Sequence, residues 1–242
     1  MNGPMIVIAG AGSGKTRVLT YKIAYLMTQG VDPFNILALT FTNKAAREMK
    51  ERIANIVGDE AKNLWMGTFH SVFARILRIE AHKIGYTSNF TIYDSDDSQK
   101  LVARIIKELN LDKEQYKYKI IFSRISSMKN NFISADQYIN DEEMLLSDKI
   151  SNRPKFHQIY KQYVDRCFKA GAMDFDDLLL KTNELLNSYP DTLSKYQNIF
   201  RYILVDEYQD TNHSQYLIIR SLSDKFQNIC VCLLYTSDAA DD

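Results

Sequence analysis

The chain has 242 residues, with 30 basic and 30 acidic side chains, 45% hydrophobic residues and three cysteines. This length supports one or two domains with hydrophobic cores, and the hydrophobic content excludes a disordered chain. The cysteines, Cys167 and the pair Cys230 and Cys232, fit neither a disulfide framework nor a zinc site, which indicates a reducing, cytoplasmic setting. Since no apolar run approaches the ~18–20 residues of a membrane span and no signal peptide is evident, we expect a soluble protein that is not exported.

The zero net charge conceals an asymmetry along the chain. Residues 1–93 carry 11 basic and 6 acidic side chains, whereas residues 94–242 carry 19 and 24. The N-terminal part is therefore the better candidate for binding an anion, although a surplus of this size is also typical of an ordinary solvated surface.

The first third of the chain alternates predicted strands and helices. The apolar runs Met5–Ala9 and Ile36–Thr40 and a third near 64–66 predict strands, the first of them buried. A helix follows each strand, and Thr42-Asn43 can cap the second helix, which Gly58 closes. This order, with a glycine-rich turn after the first strand, indicates a βαβ unit.

The middle of the chain, from about 94 to 188, has helical periodicity without convincing strands. The predicted helices are 98–109, 113–129, 154–170 and 175–186, with polar loops such as 129–131 and 140–143 between them. Strands resume at Tyr202–Val205 and 229–233. We therefore predict an α/β fold whose parallel sheet is interrupted by an all-α subdomain. The predicted parts are an α/β domain over 1–95 and 189–232, an insertion over 96–188, and a tail over 233–242.

The segment from Ala9 to Thr16, AGAGSGKT, lies between a predicted strand and a predicted helix, where a P-loop belongs. Its glycines let backbone N–H groups point at phosphate oxygens, and the helix N-terminus adds positive potential. Lys15 would reach the β- and γ-phosphates, and the Thr16 hydroxyl would ligate Mg²⁺. The alternative is a glycine-rich turn without a ligand, and Ala9 stands where the general pattern has Gly. The predicted nucleotide-binding residues are Ala9, Gly10, Ala11, Gly12, Ser13, Gly14, Lys15, Thr16 and Arg17.

A second element of a nucleotide site is the pair Asp206-Glu207, which follows the apolar run 202–205. A carboxylate at the end of a strand parallel to the first can reach Mg²⁺ beside the P-loop, and its neighbour can orient and deprotonate the attacking water. We assign Asp206 to the metal and Glu207 to the general base. Such a pair alone is commonly a solvated loop, but together with the P-loop it predicts hydrolysis of a nucleoside triphosphate.

Five motifs in order resemble those of the UvrD/Rep/PcrA-like superfamily 1 DNA helicases. They are AGAGSGKT at 9–16, TFTNKAA at 40–46, GTFHS at 67–71, DFDDLL at 174–179 and VDEYQDT at 205–211. Ala9 is the usual variant in that family. The resemblance implies a RecA-like P-loop NTPase domain with a helical insertion, in a motor that uses Mg²⁺ and ATP. Such a motor moves 3′→5′ along single-stranded DNA and separates duplex junctions.

The resemblance also implies roles for individual residues. The residues that would contact DNA are Thr42, Asn43, Phe69 and His70. Gln209 and Asp210 would couple the state of the γ-phosphate to that surface. The residues assigned to catalysis are Lys15, Glu207 and Gln209. Amides and hydroxyls suit phosphate contacts, and an aromatic ring can stack on an unpaired base. The alternative is that Phe69 belongs to the core and that His70 is an ordinary hydrogen-bonded residue.

The acidic motif Asp174-Phe-Asp-Asp177 has the carboxylate density of a cation site. It also stands at a predicted helix start, where Asp caps the helix and opposes its dipole favourably. We favour the capping role. The aromatic side chains of the insertion, among them Tyr116, Tyr118, Phe122 and Tyr138, predict core packing rather than a base-stacking track.

Comparison with the family pattern leads to further expectations. A Gln that reads adenine, expected upstream, and a second motor domain with arginines for the transition state are not found in the chain. We therefore expect slow ATP turnover and no unwinding by these residues alone. The final residues, 233–242, do not match the family and suggest an acidic tail or a sequence junction. Two other readings stay open, a different P-loop enzyme such as a nucleotide kinase and a non-catalytic DNA- or protein-binding remnant.

Overall fold

A computed structural model describes residues 3–10 and 14–234, and the chain divides into two compact units. The first consists of residues 1–73 and 184–242, and the second of residues 74–183. The boundaries predicted for the insertion, 96 and 188, differ from these. The observed boundaries fall within the helices Phe69–Glu80 and Phe175–Ser188, and a helix that continues through a boundary leaves no break in its periodicity. Most of the predicted tail, 235–242, lies outside the described residues.

The first unit alternates strands and helices, as the hydrophobic pattern predicts. Glycines and caps delimit its helices, since an α-helix leaves its terminal N–H and C=O groups unpaired. Its elements are β1 (Met5–Ala9), α1 (Lys15–Thr28), β2 (Ile36–Thr40), α2 (Asn43–Val57), β3 (Trp65–Thr68), the start of α3 (Phe69–Glu80), α10 (Pro190–Ile199), β6 (Tyr202–Val205), α11 (His213–Ser223) and β7 (Ile229–Leu234), with 3-10 turns at Pro33–Asn35, Gly58–Asn63 and Tyr208–Asp210.

The strands of the first unit form one parallel sheet in the order β1-β7-β6-β2-β3. Ala9 at the end of β1 is level with Leu234 of β7, and Leu39 of β2 is level with Val205 of β6. Parallel pairing requires crossover connections, and helices supply most of them here. The strands therefore end at a common edge, and the segments that follow them are brought together there.

The core of this unit lies between the sheet and its helices. Every residue of β2 is buried, and α1 and α2 contribute Ile23, Leu26, Met49 and Ile53. Burying such side chains contributes roughly 1.5–3 kcal/mol each. The first strand differs from the prediction of a buried strand: β1 is at the end of the sheet order, and Ile6 and Ile8 are each 62% exposed.

The second unit is mostly helical but contains a small sheet. Thr91–Tyr93 pairs in parallel with Ala172–Asp174, so the prediction of an all-α insertion is wrong in this detail. A three-residue strand without β-branched residues, here Ala-Met-Asp, is too short for the hydrophobic period to reveal. The elements are β4 (Thr91–Tyr93), α4 (Ser95–Glu108), α5 (Tyr118–Asn130), α6 (Ala135–Ile139), α7 (Glu142–Ile150), α8 (Phe156–Lys169), β5 (Ala172–Asp174) and α9 (Phe175–Ser188).

Two of these helices, α6 and α7, occupy segments expected to be loops or left unassigned. Each begins at a polar cap: Ser134 and Gln137 form a reciprocal capping box, and Asp141 accepts a hydrogen bond from the backbone of Met144. Of the aromatic residues expected in the core, Tyr116 and Tyr138 are buried there, whereas Tyr118 is 41% exposed. Among residues 3–10 and 14–234, no helix has the length and apolarity needed to cross a membrane.

Candidate functional site

The predicted site residues of the first unit all follow strands of its sheet. The P-loop follows β1, Thr42 and Asn43 follow β2, Phe69 and His70 follow β3, and Asp206 follows β6. In open α/β sheets the carboxyl ends of the strands are where ligands bind. The sheet topology therefore gathers these segments at one edge.

The two residues assigned to the metal, Thr16 and Asp206, are in direct contact. Thr16 Oγ1 donates a hydrogen bond to Asp206 Oδ2 at 2.8 Å, across 190 positions of sequence. Thr16 is in the first turn of α1, which starts after Gly14 in a left-handed conformation with φ of 89°. Glycine takes that conformation at little cost because it has no Cβ. This turn carries the chain from the P-loop into the helix and presents the Thr16 hydroxyl to the carboxylate.

The backbone of Asp206 is held by the sheet. Its N–H donates to Leu39 O at 3.0 Å, which extends the pairing of β6 with β2 by one residue. Its Oδ1 accepts a hydrogen bond from the Glu207 N–H at 3.1 Å, and the residue is only 2% exposed. Because both carboxylate oxygens accept hydrogen bonds, the side chain has a fixed orientation toward α1.

Glu207, assigned as the general base, has an unusual backbone conformation. Its φ of 47° and ψ of 48° are left-handed, which is rare for a residue with a long side chain and costs of order 1–3 kcal/mol. Gln209 Nε2 donates to Glu207 Oε2 at 2.8 Å, while Gln209 Oε1 accepts from the N–H of Leu234 at 3.1 Å. Gln209 thus bridges Glu207 to the end of β7, a strand lying between β1 and β6. The sequence motif did not reveal this link to β7.

The donor set at this edge fits a magnesium ion and a phosphate chain. Hydroxyl and carboxylate oxygens are ligands that Mg²⁺ prefers, and Thr16 and Asp206 present them side by side. The first turn of α1 contains no acidic residue, so the partial positive charge of its N-terminus is not neutralised there. An anion at this position would be favoured by the helix dipole and by unpaired N–H groups.

The remaining predicted nucleotide-binding residues are described only in part. Ala9 ends β1, and a Cβ added to Gly10 would meet no atom within 4 Å, so this residue borders open space. The exposed guanidinium of Arg17 lies over the ring of Tyr21, 5.5 Å from its centroid. The residues Ala11, Gly12 and Ser13 and the side chain of Lys15 lie outside the described part of the chain.

Thr42 and Asn43 lie at the exposed start of α2. Thr42 is the N-cap, and its Oγ1 accepts a hydrogen bond from the Ala45 N–H at 3.1 Å. The first turn of α2 has no acidic residue, so its remaining N–H groups are available for an anion. A phosphate contact here would come from backbone amides and Asn43, with the Thr42 hydroxyl already engaged in capping.

Phe69 and His70 are not equivalent in the structure. Phe69 is 1% exposed and packs against Phe41 and Phe73, with ring centroids 5.4 Å and 6.1 Å away. The prediction that Phe69 contacts DNA is therefore not supported: α3 starts at this residue, and the start of the helix turns the ring into the core. His70 is half-buried, which leaves part of its side chain accessible.

The acidic motif of the second unit forms ion pairs with a lysine. Asp177 N–H donates to Asp174 Oδ1 at 2.7 Å, so the favoured capping role is confirmed. Lys129 Nζ lies 2.7 Å from Asp174 Oδ2 and 2.8 Å from Asp177 Oδ1. The described residues contain no group of three or more His, Cys, Asp or Glu placed to hold a metal ion. The capping was predictable from the helix start, whereas the choice of Lys129, 45 positions away, had no local signal.

A basic groove in the second unit was missed by the sequence reasoning. It has a volume of about 880 Å³ and runs along α4, the following loop and the start of α5. Five of its residues are basic and one is acidic, so the groove carries a positive charge. It lies in the half of the sequence whose net charge is negative, and the net charge of that half therefore gave no sign of it. The residues of the basic groove are Ala103, Arg104, Ile106, Lys107, Lys113, Glu114, Tyr116, Lys117, Tyr118, Lys119 and Ile120.

Comparison with known proteins identifies relatives of nearly the whole chain. Residues 1–233 match the family described as UvrD/REP helicase N-terminal domain. The protein named ATP-dependent DNA helicase PcrA from Staphylococcus epidermidis (strain RP62A) is 44% identical over 230 residues, which cover 95% of this chain and 31% of that protein. The protein of the same name from Staphylococcus aureus (strain Mu50) gives the same identity and coverage. The chain thus spans 31% of the length of these relatives.

Proposed function

The chain belongs to the UvrD/REP helicase N-terminal domain family, and from this we propose that it is the Mg²⁺-ATP-binding part of a motor that couples ATP hydrolysis to 3′→5′ movement along single-stranded DNA at duplex junctions. The observation that carries the proposal is the hydrogen bond from Thr16 to Asp206 at 2.8 Å, since these are the two residues that a P-loop enzyme needs for its metal. The relatives named above are helicases by name, and a DNA partner agrees with a cytoplasmic location.

We assign the nucleotide contacts to the turn between β1 and α1. The backbone amides of 10–14 and the N-terminus of α1 would hold the phosphates, and Lys15 would neutralise them. Thr16 and Asp206 would hold Mg²⁺, which when bound supplies positive charge to the phosphate oxygens. The hydrogen bond from the Thr16 hydroxyl to Asp206 keeps the two proposed ligands side by side.

Glu207 is the proposed general base, and Gln209 is its positioning residue. Gln209 Nε2 donates to Glu207 Oε2, and Glu207 Oε1 is the oxygen that would accept a proton from water. Gln209 also accepts from Leu234 N–H, so a displacement of β7 would move the base. Through these two hydrogen bonds, a shift in the position of β7 would change how Glu207 orients the attacking water.

The proposed DNA contacts lie on each of the two units. In the first unit, the start of α2 with Asn43 and the half-buried His70 offers amides and side-chain donors for the strand. In the second unit, the basic groove offers cations, and Lys113 and Lys119 form no ion pair among the described residues. Exposed lysines of this kind bind the phosphates of a DNA strand whatever its base sequence.

Calorimetric titration of the chain with a non-hydrolysable ATP analogue, with and without Mg²⁺, tests the nucleotide site. We expect Mg²⁺ to strengthen binding by about 10-fold or more in the native protein and in an Asp224→Asn control, and not in Asp206→Asn. Asp224 is an exposed acid at the end of α11, away from the sheet edge that carries the site. Equal Mg²⁺ dependence in Asp206→Asn would overturn the assignment.

The DNA partner is tested by fluorescence anisotropy with a labelled single strand and with duplexes that carry a 3′ or a 5′ tail. We expect the 3′-tailed duplex to bind more tightly than a blunt duplex, and the ATP analogue to change that affinity. A Lys15→Ala variant should lose the effect of the nucleotide. DNA binding that no nucleotide alters would favour a non-catalytic remnant, and ATP hydrolysis indifferent to DNA would favour another P-loop enzyme.

A further inference from the structure

The Asp174-Phe-Asp-Asp177 motif takes no part in the proposed nucleotide chemistry, yet it forms the most completely buried ionic cluster described in the second unit. The side chain of Lys129 is 0% exposed, and those of Asp174 and Asp177 are 3% and 5% exposed. Tyr163 Oη donates to Asp174 Oδ2 at 2.7 Å, and its ring centroid is 4.9 Å from Lys129 Nζ. Burying charges is costly unless they are paired and hydrogen-bonded.

The charges of this cluster do not balance. Two carboxylates face one ammonium, so the ionised cluster carries one uncompensated negative charge, and the partly buried Asp176 adds another nearby. The two carboxylates are also forced close by the helix start. Asp177 N–H donates to Asp174 Oδ1 at 2.7 Å, and Asp174 N–H donates to Asp177 Oδ2 at 3.2 Å. Like charges held this close in a buried site cannot both ionise freely.

The two carboxylates differ in how many donors they receive. Asp174 accepts hydrogen bonds from Lys129, Tyr163 and the Asp177 N–H, whereas among the described residues Asp177 accepts from Lys129 and the Asp174 N–H alone. Hydrogen bonds to the charged form favour ionisation. Asp174 is therefore the carboxylate that stays charged, and Asp177 is the one that can take a proton.

We propose that the Lys129–Asp174–Asp177 cluster is a buried proton-binding site, in which Asp177 takes up one proton as the pH falls below neutrality and thereby removes the uncompensated charge from the core of the second unit. Protonated Asp177 keeps its contact with the backbone of Asp174, and Lys129 remains paired with Asp174. The second unit then becomes more stable with the proton bound than without it.

The electrostatic environment of each group supports this assignment. Burial and the neighbouring charge of Asp174 raise the pKa of Asp177 to about 6. Burial also opposes ionisation of Asp174, but the attraction of Lys129 and the hydrogen bonds outweigh it and leave the pKa of Asp174 below its usual value. Burial disfavours the charged form of Lys129, but the two carboxylates more than compensate and hold its pKa well above the ordinary value.

The other groups around the site do not compete for the proton near neutrality. The titratable groups that face the cluster come from α5, α8, β5 and α9, and they are Lys129, Tyr163, Cys167, Asp174, Asp176 and Asp177. Burial raises the pKa of Tyr163 and raises that of Cys167 to about 12, so both stay neutral. Burial and Asp174 also raise the pKa of Asp176, so variants at Asp177 are needed to separate the two.

The sign of the effect follows from linkage. A carboxyl whose pKa is higher in the folded than in the unfolded state contributes stability that is present at low pH and is lost as the pH rises through the folded value. For Asp177 this loss extends from the ordinary pKa of an aspartate, about 4, up to about pH 6. We expect this group alone to make the unfolding equilibrium constant about 10-fold smaller at pH 5 than at pH 8.

The test is denaturant unfolding of the chain between pH 5 and pH 8, with Asp177→Asn compared with the native protein. Asn is neutral and isosteric, so the variant should lose the roughly 10-fold change assigned to Asp177. Asp136→Asn is the matched control, because Asp136 is an exposed acid of the same unit paired with Lys161, and it should keep the native pH dependence.

Two further measurements keep the proposal open to refutation if a variant folds poorly. Carboxyl ¹³C shifts of the native protein should show the Asp177 signal titrating with a midpoint near 6, which a merely structural role would not produce. In Lys129→Met, the loss of the ammonium should move that midpoint to higher pH. A midpoint near the ordinary value for Asp, or an unchanged pH dependence of stability in Asp177→Asn, would overturn the proposal.

Discussion

Thr16 Oγ1 lies 2.8 Å from Asp206 Oδ2, and this hydrogen bond joins the start of α1 to the end of β6 across 190 positions of sequence. The whole of the second unit lies between the two residues in the sequence. The contact exists because β1 and β6 run parallel in the same sheet and end at the same edge. A metal ion between these two side chains would link the same two elements through its ligands.

A Thr16→Val substitution should weaken the binding of Mg²⁺-nucleotide. It removes the hydroxyl while keeping the β-branched shape, and we expect affinity measured by calorimetry to fall by at least about 10-fold. Thr20→Val is the matched control, since the Thr20 hydroxyl donates to Thr16 O, one turn earlier, at 2.8 Å and has no place in the proposed metal site. Similar losses in the two variants would mean that the effect comes from α1 itself rather than from the metal ligand.

Relief of backbone strain at Glu207 should separate stability from function. Glu207→Gly places glycine at a position whose backbone is left-handed, where a side chain is strained. We expect this variant to have a free energy of unfolding about 0.5–1 kcal/mol higher and to have lost any ATP hydrolysis. Gln227, also left-handed with φ of 58°, is the control. Gln227→Gly should be stabilised similarly with nucleotide binding unchanged. A destabilised Glu207→Gly would argue that the contact with Gln209 outweighs the strain.

Removal of two cations from the basic groove should weaken DNA binding in a salt-dependent way. For Lys113→Ala combined with Lys119→Ala, we expect the slope of log affinity against log salt to fall by about 2, one unit for each phosphate contact. Lys149→Ala combined with Lys169→Ala removes the same charge from exposed positions elsewhere in the second unit. Equal losses in both pairs would show a general charge effect and no groove.

Replacement of Phe69 should affect stability far more than DNA binding. Because the ring is buried, we expect Phe69→Leu to keep affinity for single-stranded DNA within about twofold while costing up to about 1.5 kcal/mol of unfolding free energy. Phe34→Leu, at a 48% exposed residue, should cost less than about 0.5 kcal/mol. A large loss of DNA affinity in Phe69→Leu, with stability preserved, would restore the stacking role.

Much of the first unit could be predicted because its signals are local. The strands Met5–Ala9, Ile36–Thr40 and Tyr202–Val205 were each predicted at the observed bounds, since apolar β-branched runs end at turn residues there. Thr42 was recognised as a cap for the same reason, because capping depends on residues within one turn. The small strand Ala172–Asp174 escaped, since three residues carry no detectable period.

The amino-acid sequence by itself determined which residue types stand after each strand, and hence that a phosphate-binding turn and a carboxylate pair belong to one site. Only the tertiary structure decided which of these side chains meet. In the structure, Thr16 donates a hydrogen bond to Asp206, and Phe69 is buried in the core. Two carboxylates of the second unit pair with Lys129, which is 45 positions from Asp174 in the sequence. The reason is physical. Periodicity and capping depend on residues that are close in the sequence, whereas these contacts depend on the order of the strands in the sheet and on buried charges that need a partner.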